Sequence, residues 1–500
     1  MPMMLYYGMT ASAVGLITFS FLSPRIKVLI AFFVMTLCFD LVPRILFAID
    51  VWDVGAILLL LAWLELASRR TEVPTSTIGY VIGLRIILGW MTLCLLWSIL
   101  IYEYPGLNSL KASRQMIIGV LSFFVFKELF TADKGAYEFF HRALYVATFL
   151  LLPVCLVQFV LHEPLLFGLY REYGDVTRSL PVFLPLVLLY MWMIASKVLT
   201  GTRVSIHELV YAGMAVAVIA LTFTRGIYLA VLFVVGVMIV TLALRKSPGD
   251  VKLNWVMVPV LFSLLMLFGA GFYGSGYADK VIDRFTSAME LILGENGKIN
   301  KKNEDTYTGR LDIAKERFML VLAHNPVMGY GFIHEDDVPR AIRAKLKYGS
   351  VIYTPQYIER YQEGYPYVLA LHSADIGWAD IMINTGLVGL ALWIFLFAVV
   401  VIDFYATARR TSTAYYHARL AHFLQLVVGI LLMFESNTFV TLVQIPAFIL
   451  AGYWYCSQGK TEWQSEGALD ASMEIAPGQH EMTGVCYRTS MFGGIRNCRL

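Results

Sequence analysis

Residues 210–244 read VYAGMAVAVIALTFTRGIYLAVLFVVGVMIVTLAL and contain a single charged side chain, Arg225. A helix needs about 20 mainly apolar residues to cross the hydrocarbon core of a bilayer. The apolar residues on either side of Arg225, with those just before Val210, supply two such helices with almost no loop between them. Neither half shows the recurring polar face that the helices of a soluble solenoid would need. The segment therefore predicts two transmembrane helices joined by a tight turn.

The composition of the whole chain also indicates a membrane protein. Of its 500 residues, 58% are hydrophobic and 15% are charged, and the mean hydropathy is +0.67. Soluble domains carry roughly 25% charged residues. The net charge of +3 is too small to indicate a nucleic-acid partner. The six cysteines show no zinc-binding spacing, and the chain contains no nucleotide-binding motif. We therefore expect no nucleic acid, no metal and no cofactor.

Similar apolar windows recur along the chain and predict the following transmembrane spans: 3–22, 26–48, 52–67, 78–101, 114–131, 142–161, 179–199, 206–223, 226–244, 253–273, 376–403, 417–434 and 438–456. Lys and Arg concentrate in every second connection, which places those connections in the cytoplasm by the positive-inside rule. The predicted fold class is an all-α polytopic membrane protein of about 12–13 transmembrane helices, with one large extracytoplasmic loop subdomain.

Four regions follow from this assignment. Residues 1–273 form the N-terminal transmembrane helices, and residues 274–375 form an extracytoplasmic loop subdomain of periplasmic type. Residues 376–456 form the C-terminal transmembrane helices. Residues 457–500 form a polar cytoplasmic tail that we expect to be disordered. The alternation of the spans places the long loop outside the cytoplasm.

Arg225 lies at the predicted outer membrane boundary, between two apolar helices. An ionisable residue at this depth is costly unless it is paired or faces a polar cavity. Arg225 is therefore either a functional residue or a boundary arginine whose side chain reaches up to the headgroups. The physics of the sequence does not separate these two interpretations.

Arg310 and Arg317 lie two helical turns apart in the long loop, so they share one helix face. Guanidinium groups match phosphate oxygens in a bidentate manner, and such a pair beside a membrane would suit a diphosphate headgroup. The simpler alternative is a solvated helix in which Asp312 and Glu316 are ordinary ion-pair partners.

His372 and Asp375 open the span that ends the long loop, and their spacing lets them meet on one helical face. A carboxylate that orients an imidazole is an arrangement typical of a general base. A chance histidine near a helix start is the alternative. The predicted topology brings both residues to the same outer face as the three arginines, where charge for a diphosphate and a base for a hydroxyl would converge.

The order of these motifs resembles the O-antigen ligase and O-antigen polymerase superfamily of bacterial membrane glycosyltransferases. The matching residues are Thr224-Arg225-Gly226 opening a span, Arg310 before Asn325-Pro326-Val-Met-Gly329-Tyr-Gly331, and His372 before Gly386-Leu-Val-Gly389-Leu. The resemblance covers residues 210–455 in residue pattern. In one departure, family members commonly carry the histidine at the position that Asp375 occupies here, and His372 lies one turn earlier.

The resemblance implies a metal-independent transferase of the GT-C class, which takes a glycan from undecaprenyl diphosphate at the outer face of the bacterial cytoplasmic (inner) membrane. Arg225 and Arg310 would hold the lipid diphosphate, with Arg178 and Arg317 as weaker candidates. His372, Asp375 or the pair would deprotonate the acceptor hydroxyl. The partners would be the lipid-linked glycan donor, a glycan or lipid A core acceptor, and the membrane lipid. The resemblance leaves open whether the product is lipopolysaccharide, a longer O-antigen or an exopolysaccharide.

A transporter or flippase of a lipid-linked or small polar substrate is the main alternative, since Asp40, Arg85 and Glu435 lie in apolar spans. No inverted repeat supports it, and compact transporters rarely need so long an outer loop. A non-catalytic membrane scaffold is a third possibility, but it would leave Arg225 without a polar ligand.

Overall fold

The computed structural model describes residues 22–36, 51–68, 79–133, 135–161, 170–173, 176–179, 181, 183–222, 224–244, 253–257, 259, 314–334, 376–407, 415–433 and 444–458. The helices are α1 (Pro24–Thr36), α2 (Val51–Ser68), α3 (Gly79–Leu100), α4 (Gly106–Ala132), α5 (Ala136–Leu161), α6 (Leu184–Leu199), α7 (Ile206–Leu221), α8 (Arg225–Ala243), α9 (residues 314–324), α10 (Gly377–Thr407), α11 (Tyr416–Leu432) and α12 (Gln444–Gln458). The strands are β1 (Tyr170–Tyr173) and β2 (Val176–Ser179).

The helices have the lengths and compositions expected of membrane spans. Within the described residues, five are long and apolar enough to cross a bilayer, namely α3, α4, α5, α8 and α10. Shorter apolar helices are α6, α7 and α11. The prediction of an all-α polytopic membrane protein is confirmed. The first predicted span, most of the span at 253–273, much of the long loop and the tail lie outside the described residues.

Helix α4 extends further toward the predicted outer face than the apolar pattern indicates. It begins at Gly106, whereas the predicted span begins at residue 114. The added turns, residues 106–113, lead into Arg114, whose Nη1 lies 2.8 Å and 3.0 Å from the two carboxylate oxygens of Asp53 in α2. The guanidinium also lies 5.5 Å from the ring centre of Trp52. A positive charge at this otherwise weakly basic face is therefore compensated by an acidic partner.

A short hairpin between α5 and α6 is a departure from a purely helical chain. Strands β1 and β2 pair antiparallel, with Tyr173 opposite Val176. The sequence between these residues is Gly174-Asp175, a dipeptide typical of two-residue hairpin connections. The hairpin was not predicted, because the search for apolar windows passes over short polar segments.

Buried ion pairs fix helix ends at the predicted cytoplasmic side. Lys27 Nζ in α1 lies 2.7 Å from Glu65 Oε2 in α2, and Lys197 Nζ in α6 lies 2.7 Å from Glu208 Oε1 in α7. Glu208 also accepts a hydrogen bond from the Ser205 amide, which caps the start of α7. These contacts lie at the end of the bundle opposite to the candidate site residues.

Several of the described helices pack against α11. It contacts α6, α8 and α12, whereas α10 packs against α3, and α3 and α12 each pack against α4. At the predicted outer end, the Gly377 amide donates to the Met433 carbonyl at 2.9 Å, which joins the start of α10 to the end of α11. Helix α8 begins with Arg225 and runs antiparallel to α11 in the predicted topology. This packing brings the starts of α8 and α10 to the same end of the bundle.

Candidate functional site

Helix α10 is broken at Gly386, and a loop that precedes it in the sequence fills the break. Gly386 has φ 69° and ψ −172°, far from helical values. In a continuous helix the Leu387 amide would donate to the Ile383 carbonyl. Here the Ile383 carbonyl accepts from the Tyr330 amide at 2.8 Å, and the Leu387 amide donates to the Pro326 carbonyl at 2.9 Å. We call this pair of exchanged hydrogen bonds, between residues 326–330 and 383–387, the loop–helix clip.

Three glycines permit this close approach of two backbones. Gly329, Gly331 and Gly386 have φ values of 67°, 67° and 69°, which side-chain-bearing residues rarely adopt. A Cβ on Gly329 would overlap the Ile383 carbonyl, and one on Gly386 would overlap the Val327 carbonyl. Both the conformation and the space at these positions therefore require glycine.

Helix α3 holds the loop from its other side. Ser98 Oγ accepts from the Phe332 amide at 2.8 Å and donates to the Cys94 carbonyl at 2.7 Å. The Tyr102 hydroxyl donates to the Gly329 carbonyl at 2.9 Å. The loop is thus bonded to two transmembrane helices at once.

The Asn-Pro pair at the start of the loop turns the chain directly after α9. Asn325 Oδ1 accepts from the amides of Val327 and Met328 at 3.0 Å and 3.1 Å, a side-chain-closed turn. Pro326 has no amide to donate but supplies the carbonyl that Leu387 binds. Helix α9 therefore ends one residue before the clip begins.

Arg317 lies on the face of α9 that packs against α10. The residue is 2% exposed, and its Nη1 lies 2.9 Å from Glu316 Oε2. Asp380, near the start of α10 and 4% exposed, interacts electrostatically with it. Burial lowers the pKa of the Arg317 guanidinium, while the charges of Glu316 and Asp380 act in the opposite direction. Of the predicted site residues, Arg317 is the one whose side chain is described, and it lies inside the packed α9–α10 interface.

An apolar contact adds to this interface. Ala314 at the start of α9 packs against Ile376 and Ala379, which lie at the start of α10. Val321 packs with Ile383 and Tyr330 on the same side of α9. The opposite face of α9 exposes Phe318, Met319 and Leu322.

Aromatic rings gather where α9 meets α3. The His324 ring stacks on Tyr330 with a centroid distance of 4.2 Å and an interplanar angle of 12°, and it lies 5.1 Å from the Tyr102 ring. Burial lowers the pKa of His324 and raises the pKa of Tyr330 and of Tyr102. The shifts therefore favour the neutral form of each of these three side chains.

The structure describes the backbone positions of two other arginines predicted for the site. Arg225 is the first residue of α8, and Arg178 lies in β2, opposite Arg171 of β1. Strand β2 packs against α5 and α7, and α7 leads through the buried Thr222 into α8. Arg310, His372 and Asp375 lie outside the described residues, although they shortly precede α9 and α10 in the sequence.

The comparison with known families supports the class of protein that the motifs indicate. The family model described as O-antigen ligase matches residues 210–394, which include Arg225, α9, the loop–helix clip and the break in α10. The chain therefore carries an O-antigen ligase domain. The resemblance inferred from the motifs is confirmed, and the domain belongs to a glycosyl-transferring type of multi-pass membrane enzyme. A search of curated proteins finds no match.

The sequence analysis found the motifs of the O-antigen ligase domain but missed the residues that contact them. The two glycine motifs were recognised separately, as Asn325 to Gly331 and as Gly386 to Gly389, but not as two sides of one contact. Ser98 of α3 and Tyr102, two residues after the end of α3, lie before the matched segment and had no signal of their own. Asp380 lies five residues after Asp375 in the sequence, and its burial beside the Arg317 helix could not be predicted from spacing.

Proposed function

We propose that this protein transfers or polymerises an undecaprenyl-diphosphate-linked glycan at the outer face of the cytoplasmic membrane, without a metal. One observation carries the proposal: α9, which follows Arg310, packs directly against the start of α10, which follows His372 and Asp375. The packing of these two helices supports a single site for Arg310, His372 and Asp375.

Positive charge at this end of the bundle would hold the lipid diphosphate. Arg225 and Arg310 are the proposed ligands, with Arg178 as a further one, since β2 packs against α7, the helix that precedes Arg225. Arginine forks bind phosphate oxygens bidentately and keep their charge at any physiological pH. Because Arg317 is enclosed and paired with Glu316, we assign it the role of holding α9 against α10 rather than that of a ligand.

The base would be His372, Asp375 or the two together. It would take the proton from an acceptor hydroxyl, whose oxygen then forms a bond to the anomeric carbon of the donor glycan. The bond from that carbon to the diphosphate oxygen breaks, and undecaprenyl diphosphate leaves with the bonding electron pair. The arginines would stabilise the charge that develops on the leaving diphosphate.

The outward face of α9 suits a lipid-linked substrate. Phe318, Met319 and Leu322 are 41%, 56% and 41% exposed, and they lie on the helix that leads directly into the membrane-bound loop. Apolar residues on one face of a helix at a membrane boundary are typical of contact with acyl or polyprenyl chains. The acceptor could be a growing glycan or the lipid A core.

The proposal is tested with purified protein, an undecaprenyl-diphosphate-linked glycan and an acceptor glycan. Arg225→Ala, Arg310→Ala, His372→Ala and Asp375→Asn are compared with wild type at equal, folded amounts. Arg85→Ala is the matched control, since this arginine is exposed in the first turns of α3, far from the site. We expect wild type and the control to release free undecaprenyl diphosphate, and both arginine variants and at least one base variant to lose this release. Full activity in all four site variants would overturn the assignment.

A further inference from the structure

In a continuous α10, the Leu387 amide would donate to the Ile383 carbonyl. In the loop–helix clip, both groups bond to the loop instead. A break in a transmembrane helix leaves backbone groups without partners unless protein supplies them. The loop supplies both partners: the Tyr330 amide donates to the Ile383 carbonyl, and the Pro326 carbonyl accepts from the Leu387 amide. The first nine residues of α10 are thereby a separate half-helix whose direction is set by the loop.

We propose that the clip is the positioning device of the transfer reaction, which fixes α9, the helix after Arg310, relative to the half-helix that follows His372 and Asp375. Tyr330, Gly329 and Gly386 are then positioning residues, although none of them touches the substrate. This inference rests on the proposed function and adds to it the part of the chain that sets the geometry between donor and base.

The segments on either side of the clip are short. Helix α9 ends at residue 324, and the clip begins at Pro326. Between the clip and the start of α10 lies only the half-helix, residues 377–385. A shift at the clip therefore moves α9 and the half-helix, which follow Arg310 and His372 in the sequence.

A second set of contacts aligns the same two parts further out. Arg317 faces Asp380, and Ala314 packs on Ile376 and Ala379. Because α9 contacts the half-helix at two levels, near its start and through the clip, its position along α10 is fixed as well as its distance. Tyr102 and Ser98 then hold the loop to α3, which itself packs against α10.

Two variants break the clip in different ways. Gly386→Ala places a methyl group against the Val327 carbonyl at a φ of 69°. Leu387→Pro removes the amide that binds Pro326, and proline is tolerated in the first turn of a helix, where Leu387 stands after the break. Gly89→Ala in α3 is the matched control, because its added Cβ would meet no atom within 4 Å.

The test combines turnover with a distance measurement. In a cysteine-free background, spin labels at Met319 of α9 and Ile394 of α10, which are 56% and 54% exposed, report the α9–α10 distance. We expect both clip variants to shift or broaden this distance and to lower kcat by about 10- to 100-fold, with the donor KM changed by less than about threefold. The control should match wild type in both.

Each outcome bears on one of the two proposals. An unchanged distance and an unchanged kcat in both clip variants would overturn the positioning role. If the clip variants shift the distance but the wild-type protein shows no turnover, the result contradicts the proposed function and leaves the clip as a feature of the fold alone. If Gly386→Ala does not fold, Leu387→Pro and Tyr102→Phe, which loses only the hydroxyl bound to Gly329, carry the same comparison.

Discussion

The Nη1 atom of Arg317 lies 2.9 Å from Oε2 of Glu316, and 3% of the Arg317 side chain is exposed. A guanidinium that is buried and paired in this way contributes to the packing of α9 on α10. Removing one partner of a fully buried ion pair costs about 3–5 kcal/mol. The Glu316 side chain is 21% exposed, so the cost here is lower. We therefore expect Arg317→Ala to lower the thermal unfolding midpoint of the purified protein by several degrees.

Arg225→Ala is the contrasting variant. If Arg225 binds the donor diphosphate and Arg317 holds the fold, Arg225→Ala loses turnover with an unchanged unfolding midpoint, whereas Arg317→Ala lowers the midpoint. An Arg317→Ala protein as stable as wild type but inactive would instead make Arg317 a ligand.

The contact between Ser98 and Phe332 gives a second prediction. Ser98→Ala leaves the Phe332 amide, in a fully buried residue, without its acceptor, at a cost of about 1–3 kcal/mol. Ser122→Ala is the control, since Ser122 Oγ donates to Ile118 within its own helix at 2.7 Å, as Ser98 Oγ does to Cys94. Unfolding midpoints should fall clearly more for Ser98→Ala. Equal losses in both variants would show that the loop bond contributes nothing.

The His324 ring predicts a pH dependence of stability. Burial lowers the pKa of His324 below its ordinary value of about 6.5, so the unfolded chain binds its proton first. Its contribution to stability is fully present above about pH 6.5 and is lost as the pH falls through that value toward the folded-state pKa. His324→Phe keeps an aromatic ring for Tyr330 and cannot be protonated. Between about pH 7.5 and pH 5, its unfolding midpoint should fall less than that of wild type; identical falls would contradict this.

The predicted orientation in the membrane is tested by cysteine labelling. Glu103 follows α3 and Thr202 follows α6, and both are exposed. In a cysteine-free background in intact cells, a membrane-impermeant maleimide should label Glu103→Cys, because this end faces outward by the positive-inside rule. Thr202→Cys should react only after the membrane is permeabilised. The reverse pattern would place the candidate site in the cytoplasm.

Much of the fold could be predicted from the sequence because each membrane span requires a long apolar run, which is visible in the sequence. A span such as α8 needs an uninterrupted apolar run, and no soluble fold explains one. The outer turns of α4, residues 106–113, were missed because polar residues interrupt the apolar run there, and the pairing of the next residue, Arg114, with Asp53 of α2 cannot be read from the sequence. The β1–β2 hairpin was missed although Gly174-Asp175 offers a short-range signal.

The candidate site was predictable in its residue types but not in its contacts. Gly386 lies in an apolar span as Gly389 and Gly83 do, and composition does not tell a helix break from an ordinary helical glycine. The break follows from a loop more than fifty residues earlier in the chain, whose amide and carbonyl replace the helical partners. Likewise, spacing puts Arg317 on a face with Arg310, but packing on α10 decides that Arg317 is enclosed.

The most direct test of the central claim measures glycan transfer by the purified wild-type protein, with an undecaprenyl-diphosphate-linked glycan as donor and a chelator present throughout. Mass spectrometry follows the acceptor glycan and the free lipid diphosphate in the same sample. The account predicts one undecaprenyl diphosphate released for each glycan transferred, at a rate unaffected by the chelator. Intact donor after prolonged incubation with folded protein and each class of acceptor would contradict it.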